Sequence, residues 1–222
     1  GQQASDLASF AAEVRDVGFK HCVLLGMGGS SLGPEVLRQT FGSAPGYPEL
    51  LVLDSTVPGW VQSVTDAIDP AQTIFLVSSK SGSTTEPNMF YAYFRDLVEQ
   101  AVGRDTAGQD FIDVTDRGTS LAKLDEEQGF RRVFLNPNDL GGLYSVLSYF
   151  GLVPAAIIGL DVLRLLDRAD VMRNQTRPEI PASENAGALL GAAMGVLSQK
   201  GRDKLTLVTS PAISSFGLWA EQ

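Results

Sequence analysis

Residues 22–41 read CVLLGMGGSSLGPEVLRQTF. The opening five, CVLLG, are an apolar run without alternation, the mark of a strand buried on both faces. GMGGSSLG, residues 26–33, is a glycine- and serine-rich turn. A helix over 34–41 follows, with Pro34 in its first turn, where a missing N–H does no harm.

The same rhythm extends both ways. Upstream, Leu7, Phe10, Ala11 and Val14 recur at helical spacing within 4–17. Downstream, strands are predicted at 50–54 (LLVLD), 73–78 (TIFLVS), 110–114 and 132–135 (RVFL), with helices at 58–67, 84–102 and 119–127. Alternation of this kind implies βαβ units and a parallel sheet. The expected fold class is α/β, a three-layer αβα sandwich around a five-stranded parallel sheet. Ligands of such sheets bind beyond the C-terminal strand ends, so the loops after residues 26, 54, 78, 114 and 135 are the functional candidates.

Beyond residue 144 the pattern turns helical, with helices predicted at 145–157, 160–173 and 184–200. Asn174–Glu184 (NQTRPEIPASE) carries two prolines and reads as a linker. A strand at 204–209 (KLTLVT) and a helix from about 214 then suggest the start of a second α/β unit. The expected division is 1–175 for one sheet domain and 176–222 for the linker and the beginning of another, as in an N-terminal fragment.

Composition narrows the function. The 222 residues are 44% hydrophobic and carry a formal net charge of −9, which supports a packed core and opposes a nucleic-acid partner. A phosphorylated small molecule remains compatible, because a pocket can be locally positive on an acidic protein. Cys22 is the only cysteine and no signal-peptide pattern is visible, which fits a reducing cytoplasm. Leu140–Leu160 is 21 residues without a charge. Its Gly141, Gly142, Ser145, Ser148, Gly151 and Pro154 favour a loop and two short buried helices over a membrane span.

Three loops carry the chemistry. In GMGGSSLG the glycines admit close approach of an anion to backbone and helix N-terminus, and Ser30 and Ser31 add hydroxyls. It is not a P-loop, because Pro34 follows Gly33 where lysine is required, nor a dinucleotide fingerprint, because residue 31 is serine. A tight turn with no ligand would satisfy the same residues. The second loop, SSKSGSTTEP at 78–87, offers six hydroxyls and Lys80 at a helix start, a set suited to a phosphate dianion. Glu86 sits where a carboxylate favours the helix dipole. Ser83 or Thr84 is the expected helix cap, a task for one hydroxyl rather than six. The third segment, NDLGGLYSVLSYFGL at 138–152, turns sharply at Gly141 and Gly142, and Tyr144 and Phe150 read as core.

Together GMGGSSLGP, SSKSGSTTEP, DLGGLYSVLSYFGLVPAAIIGLD and the final DKLTLVTSPAISSFGLWAEQ resemble the phosphoglucose isomerase family and, more broadly, sugar isomerase (SIS) domains of flavodoxin-like fold. The resemblance includes bacterial isomerases fused behind a transaldolase. It implies sugar contacts from Gly29 and Ser30, a phosphate seat from Ser79, Lys80, Ser81 and Thr84, backbone from Gly142, and Glu86 near the reacting end. It implies aldose–ketose isomerisation of a sugar phosphate through a cis-enediolate, without metal or cofactor, in a homodimer.

One position departs: Leu143 stands where the family has an arginine thought to stabilise the enediolate. Leu143 is then a natural loss of function, a sequence change, or a position for which another cation substitutes; Arg131 and Arg132 are near in sequence. The family's glutamate base is expected a few residues after Gln222, so the chain alone is expected to be inactive. His21, the sole histidine, opens a strand and reads as structural. The rival readings are a non-catalytic sugar-phosphate sensor, an isomerase of another phosphosugar, and a nucleotide-binding domain.

Overall fold

The computed structural model describes residues 2–221. Gly1 and Gln222, the outer limits of the two expected units, lie outside the described residues. The chain order is α1 (Gln2–Val17), β1 (His21–Gly26), α2 (Leu32–Phe41), β2 (Glu49–Leu53), α3 (Pro58–Ala67), β3 (Thr73–Ser78), α4 (Thr85–Val102), α5 (Arg104–Ala107), β4 (Phe111–Asp116), α6 (Ser120–Gln128), β5 (Arg132–Asn136), α7 (Tyr149–Ile157), α8 (Val162–Gln175), α9 (Ala186–Gln199) and α10 (Phe216–Ala220). The five strands pair in parallel in the order β2-β1-β3-β4-β5. The order reverses direction between β1 and β3, where such sheets hold their ligands.

The apolar runs are sorted by strand periodicity. Cys22 and Leu24 of β1 join one buried cluster with Leu7, Phe10 and Val14 of α1 and the whole run Phe150–Ile158 at α7, apart from Gly151 and Pro154. Val23 and Leu25 join a second cluster on the opposite face, with Val64 of α3, Phe90 and Phe94 of α4 and Leu121 of α6. The layers are therefore helix, sheet, helix, as the alternation implies. Phe75 anchors the second face, its ring centroid 5.0 Å from Phe94 and 5.1 Å from Phe111. Offset aromatic contacts of this kind add to the area that the rings bury.

The uncharged stretch at 140–160 becomes a 3-10 turn, Gly142–Tyr144, and the nine-residue α7. Every residue of α7 from Phe150 to Ile157 is buried, which accounts for its lack of polar residues. Among the described residues no helix is long and apolar enough to cross a membrane.

Four expectations change. Residues 204–209 form no strand: without a neighbouring strand to complete the ladder, KLTLVT stays single, with Val208 94% exposed. Helix 145–157 starts later, because Ser148 caps at Phe150 N and residues 142–144 take the tighter turn. Asn174 and Gln175, expected outside any helix, belong to α8, which ends at Gln175. Tyr144 is not core but 77% exposed on its turn, whereas Phe150 is buried. Beyond these, α9 is apolar on all sides and none of its residues is buried, with Leu189, Leu190, Met194 and Val196 facing solvent.

Candidate functional site

The loops after β1, β3, β4 and β5 meet over the sheet's C-terminal edge and enclose a cleft of about 470 Å³. The first loop leaves β1 at Gly26 and closes as a 3-10 turn, Gly28–Ser30, before α2. Gly28 has φ +55, a left-handed conformation that glycine takes without strain. Gly29 lies against the backbone of the fourth loop: a Cβ on it would stand 2.4 Å from the Gly142 carbonyl oxygen. Ser145 fastens that approach, its hydroxyl in reach of both the Gly29 carbonyl, at 3.2 Å, and that of Gly142. The segments read separately in the sequence thus form one wall. Gly29, Ser30 and Gly142 all line the cleft.

The β3 loop forms the facing wall. Ser79 is buried, its N–H donating to the Val114 carbonyl and its hydroxyl to Thr84 Oγ1 at 3.2 Å. Ser81 Oγ lies 3.3 Å from the same Thr84 oxygen. Thr84 occupies the N-cap position of α4, yet its hydroxyl makes no capping bond. The expected cap therefore does not form, because Thr84 Oγ1 is drawn to Ser79 and Ser81. An uncapped helix start with convergent hydroxyls is suited to an anion.

Lys80 reaches across to β4, where its ammonium pairs with Asp116. It also lies 3.5 Å from the Asn138 carbonyl. Asp116 is 7% exposed, and its second carboxylate oxygen has no hydrogen-bond partner among the described residues. Arg117 follows it, its backbone N–H donating to Asn138 Oδ1 at 3.2 Å. Thr119 Oγ1 donates to the Asp116 carbonyl at 3.2 Å.

Of the eight residues singled out in the sequence, Gly29, Ser30, Lys80, Ser81, Thr84 and Gly142 line the cleft. Ser79 sits directly behind Thr84. Glu86, in the first turn of α4, is half-buried and off the cleft wall. Asp116, Arg117, Thr119 and Asn138 also line the cleft and were not singled out. The signal for them was the position of the loops after β4 and β5.

The two arginines considered as substitutes for the residue at 143 are elsewhere. Arg131 pairs with Glu13 and lies over Phe19, and Arg132 stacks on Phe10 and Phe134. Leu143 itself is 46% exposed. His21 lies at the start of β1, away from the cleft at its end. A separate cavity of about 390 Å³ flanks β2, between Trp60 and Asp54. Its one arginine, Arg38, is paired with Glu35, and Asp54 adds a second carboxylate to the lining, so it offers an anion little.

The comparisons agree on the origin of this arrangement. The model of the family described as phosphoglucose isomerase matches residues 13–208. A glucose-6-phosphate isomerase of Staphylococcus saprophyticus is 31% identical over 207 residues, covering 90% of this chain and 46% of that protein. One of Clostridium novyi is 29% identical over 212 residues, covering 90% and 47%. The crystal structure of a glucose-6-phosphate isomerase from Chlamydia trachomatis matches with a TM-score of 0.83 at 26% identity, over 98% of this chain and 42% of that one. A hypothetical protein from Thermus thermophilus matches with a TM-score of 0.82 at 27% identity, over 97% and 52%. The chain spans about half the length of the curated relatives it matches.

Proposed function

The chain belongs to the phosphoglucose isomerase family, and we propose that it serves the interconversion of glucose 6-phosphate and fructose 6-phosphate, with residues 1–175 as the SIS-type unit that binds the sugar phosphate. The observation that carries this reading is the uncapped start of α4. There Ser81 and Thr84 offer hydroxyls to one cleft, with Ser79 holding Thr84 from behind. A phosphate dianion seated there takes charge-assisted hydrogen bonds from hydroxyls and free amides, each worth roughly 1.5–3 kcal/mol. Gly29, Ser30 and Gly142 then border the sugar, since they form the wall opposite the phosphate seat. Gripping the phosphate fixes the carbonyl end against the catalytic groups, which lowers the entropic part of the barrier. The reaction itself is a proton transfer between C1 and C2 through an enediolate, performed by general acid–base groups without metal or cofactor. Glu86 is assigned to the helix start, where its carboxylate favours the dipole of α4; the place near the reacting end that the resemblance implies for it has no support from the cleft lining. The protein is proposed to act in the cytoplasm and as a homodimer; light scattering on the purified chain checks the dimer.

Calorimetric titration with fructose 6-phosphate, alongside Lys80→Ala, tests the site. Saturable binding that weakens in the variant is expected. A wild-type protein that binds nucleotides and ignores the phosphosugar would sink the proposal. One observation favours a second reading, a non-catalytic sugar-phosphate sensor: Leu143 is an exposed leucine where the family carries an arginine. Binding without turnover by the protein extended to the full length of its relatives, prepared from an isomerase-deficient host, would support the sensor.

A further inference from the structure

We propose that Arg117 is the residue that makes this cleft selective for an anion, and that it binds the charged group of the ligand directly. The inference rests on the sugar-phosphate reading above and adds a residue that neither the motifs nor the comparisons assign.

The argument is a charge count inside the cleft. Its lining holds three charged side chains, Lys80, Asp116 and Arg117. Lys80 is paired with Asp116, so their charges cancel at the wall. Asp116 is buried at the end of β4, its backbone N–H tied to the Lys80 carbonyl at 3.3 Å, which keeps the pair in register. The net positive charge of the lining is therefore contributed by Arg117 alone. The protein as a whole opposes any anion, with a formal net charge of −9. A dianion entering the cleft thus meets a neutral pair and one uncompensated guanidinium.

Arg117 is suited to the task by its mounting. Its main chain is held by Asn138 Oδ1, while its side chain is exposed and makes no ion pair among the described residues. The β4 end lies beside the β3 loop, because Ser78 and Val114 are in register. Arg117, Ser81 and Thr84 consequently border the same opening, and Arg117 also borders a second cavity beside Asp139. A guanidinium presents paired N–H groups that match two phosphate oxygens, a geometry that lysine lacks. Lys80, tied to Asp116, instead orders the loop, and its contact with ligand depends on exchanging that partner.

The test compares wild type, Arg117→Ala and Arg117→Lys by calorimetry with fructose 6-phosphate, fructose and inorganic phosphate at two salt concentrations. Circular dichroism checks folding, which the exposed position leaves intact. Wild type is expected to bind fructose 6-phosphate saturably and Arg117→Ala to bind it at least about tenfold more weakly, the size of one charge-assisted hydrogen bond. Arg117→Lys is expected to recover part of the loss, and raising the salt to weaken wild type more than Arg117→Ala. Unchanged affinity in Arg117→Ala overturns the role of Arg117 and leaves the sugar-phosphate reading standing. Binding of inorganic phosphate that depends on Arg117, with no gain from the sugar, keeps the anion role and overturns the sugar reading. Wild type that binds none of the three overturns both.

Discussion

Replacing Gly29 by alanine probes whether the loops after β1 and β5 are as closely joined as their backbones indicate. An added Cβ would stand 2.4 Å from the Gly142 oxygen and 2.5 Å from its carbon, against an ordinary contact of 3.4 Å or more. The obstacle is backbone, so no rotamer change relieves it. The loops must part by roughly 1 Å, a displacement that typically costs about 10²-fold at a site of this kind. The strain is of the overpacking class, about 1–3 kcal/mol of stability. Gly142→Ala is the control: it faces the same contact from the other side, yet a Cβ there meets nothing within 4 Å. Urea unfolding and titration with fructose 6-phosphate measure both variants. Gly29→Ala is expected to lose stability and nearly all affinity, with Gly142→Ala close to wild type in stability. Equal stability of the two would refute the close approach as the organising contact.

Other outcomes follow from the same packing. Phe75→Ala, at the centre of the second core face, should lower unfolding free energy by about 3–5 kcal/mol in chemical denaturation. Cys22 is fully buried and burial pushes its thiol up to about 12, so a disulfide reagent should label it only after denaturant is added. Burial raises the Asp110 carboxyl to about 6 from an ordinary 3.8, with Arg131 and Arg95 only partly offsetting it. The folded state thus holds this proton more tightly than the unfolded chain. The contribution is favourable below about pH 4 and is lost as pH rises through about 6. Asp110→Asn should therefore raise the melting temperature at pH 7 more than at pH 4, by an effect on the order of 1 kcal/mol after allowance for its part-exposure.

Much of the architecture was legible because two periods dominate it. Helix α1 shows its buried face at 3.6-residue spacing through Leu7, Phe10, Ala11 and Val14. Strands β1 and β3, covered on both sides, show unbroken apolar runs. KLTLVT has the same local character and still forms no strand, since a strand is a property of pairs and a local pattern reports only one member. The site was legible where glycine and hydroxyl residues cluster, at 26–33 and 78–87. It was illegible at Asp116, Arg117 and Asn138, which look like an ordinary polar turn in sequence. Their importance comes from sheet order, which sets β4 beside β3 and brings Asp116 to Lys80. The helix cap failed for a related reason: Thr84 has the residue type of a cap, but nearby Ser79 and Ser81 compete for its oxygen.

The strand order β2-β1-β3 also shapes how the chain is made. β1 precedes both of its partners in the chain, and β3 is completed only at Ser78, 52 residues after Gly26. At a synthesis rate of about 5–20 residues per second, the apolar run CVLL waits roughly 3–10 s with one side unpaired. During that interval it is a short, uncharged, β-prone segment with an open edge, the kind that associates with other chains. The glycine loop that later forms part of the cleft follows it at once and ends that segment after a few residues. A ribosome-bound chaperone is therefore expected to matter most between the emergence of β1 and that of β3, and slowing translation across residues 27–72 should raise aggregation of nascent chains.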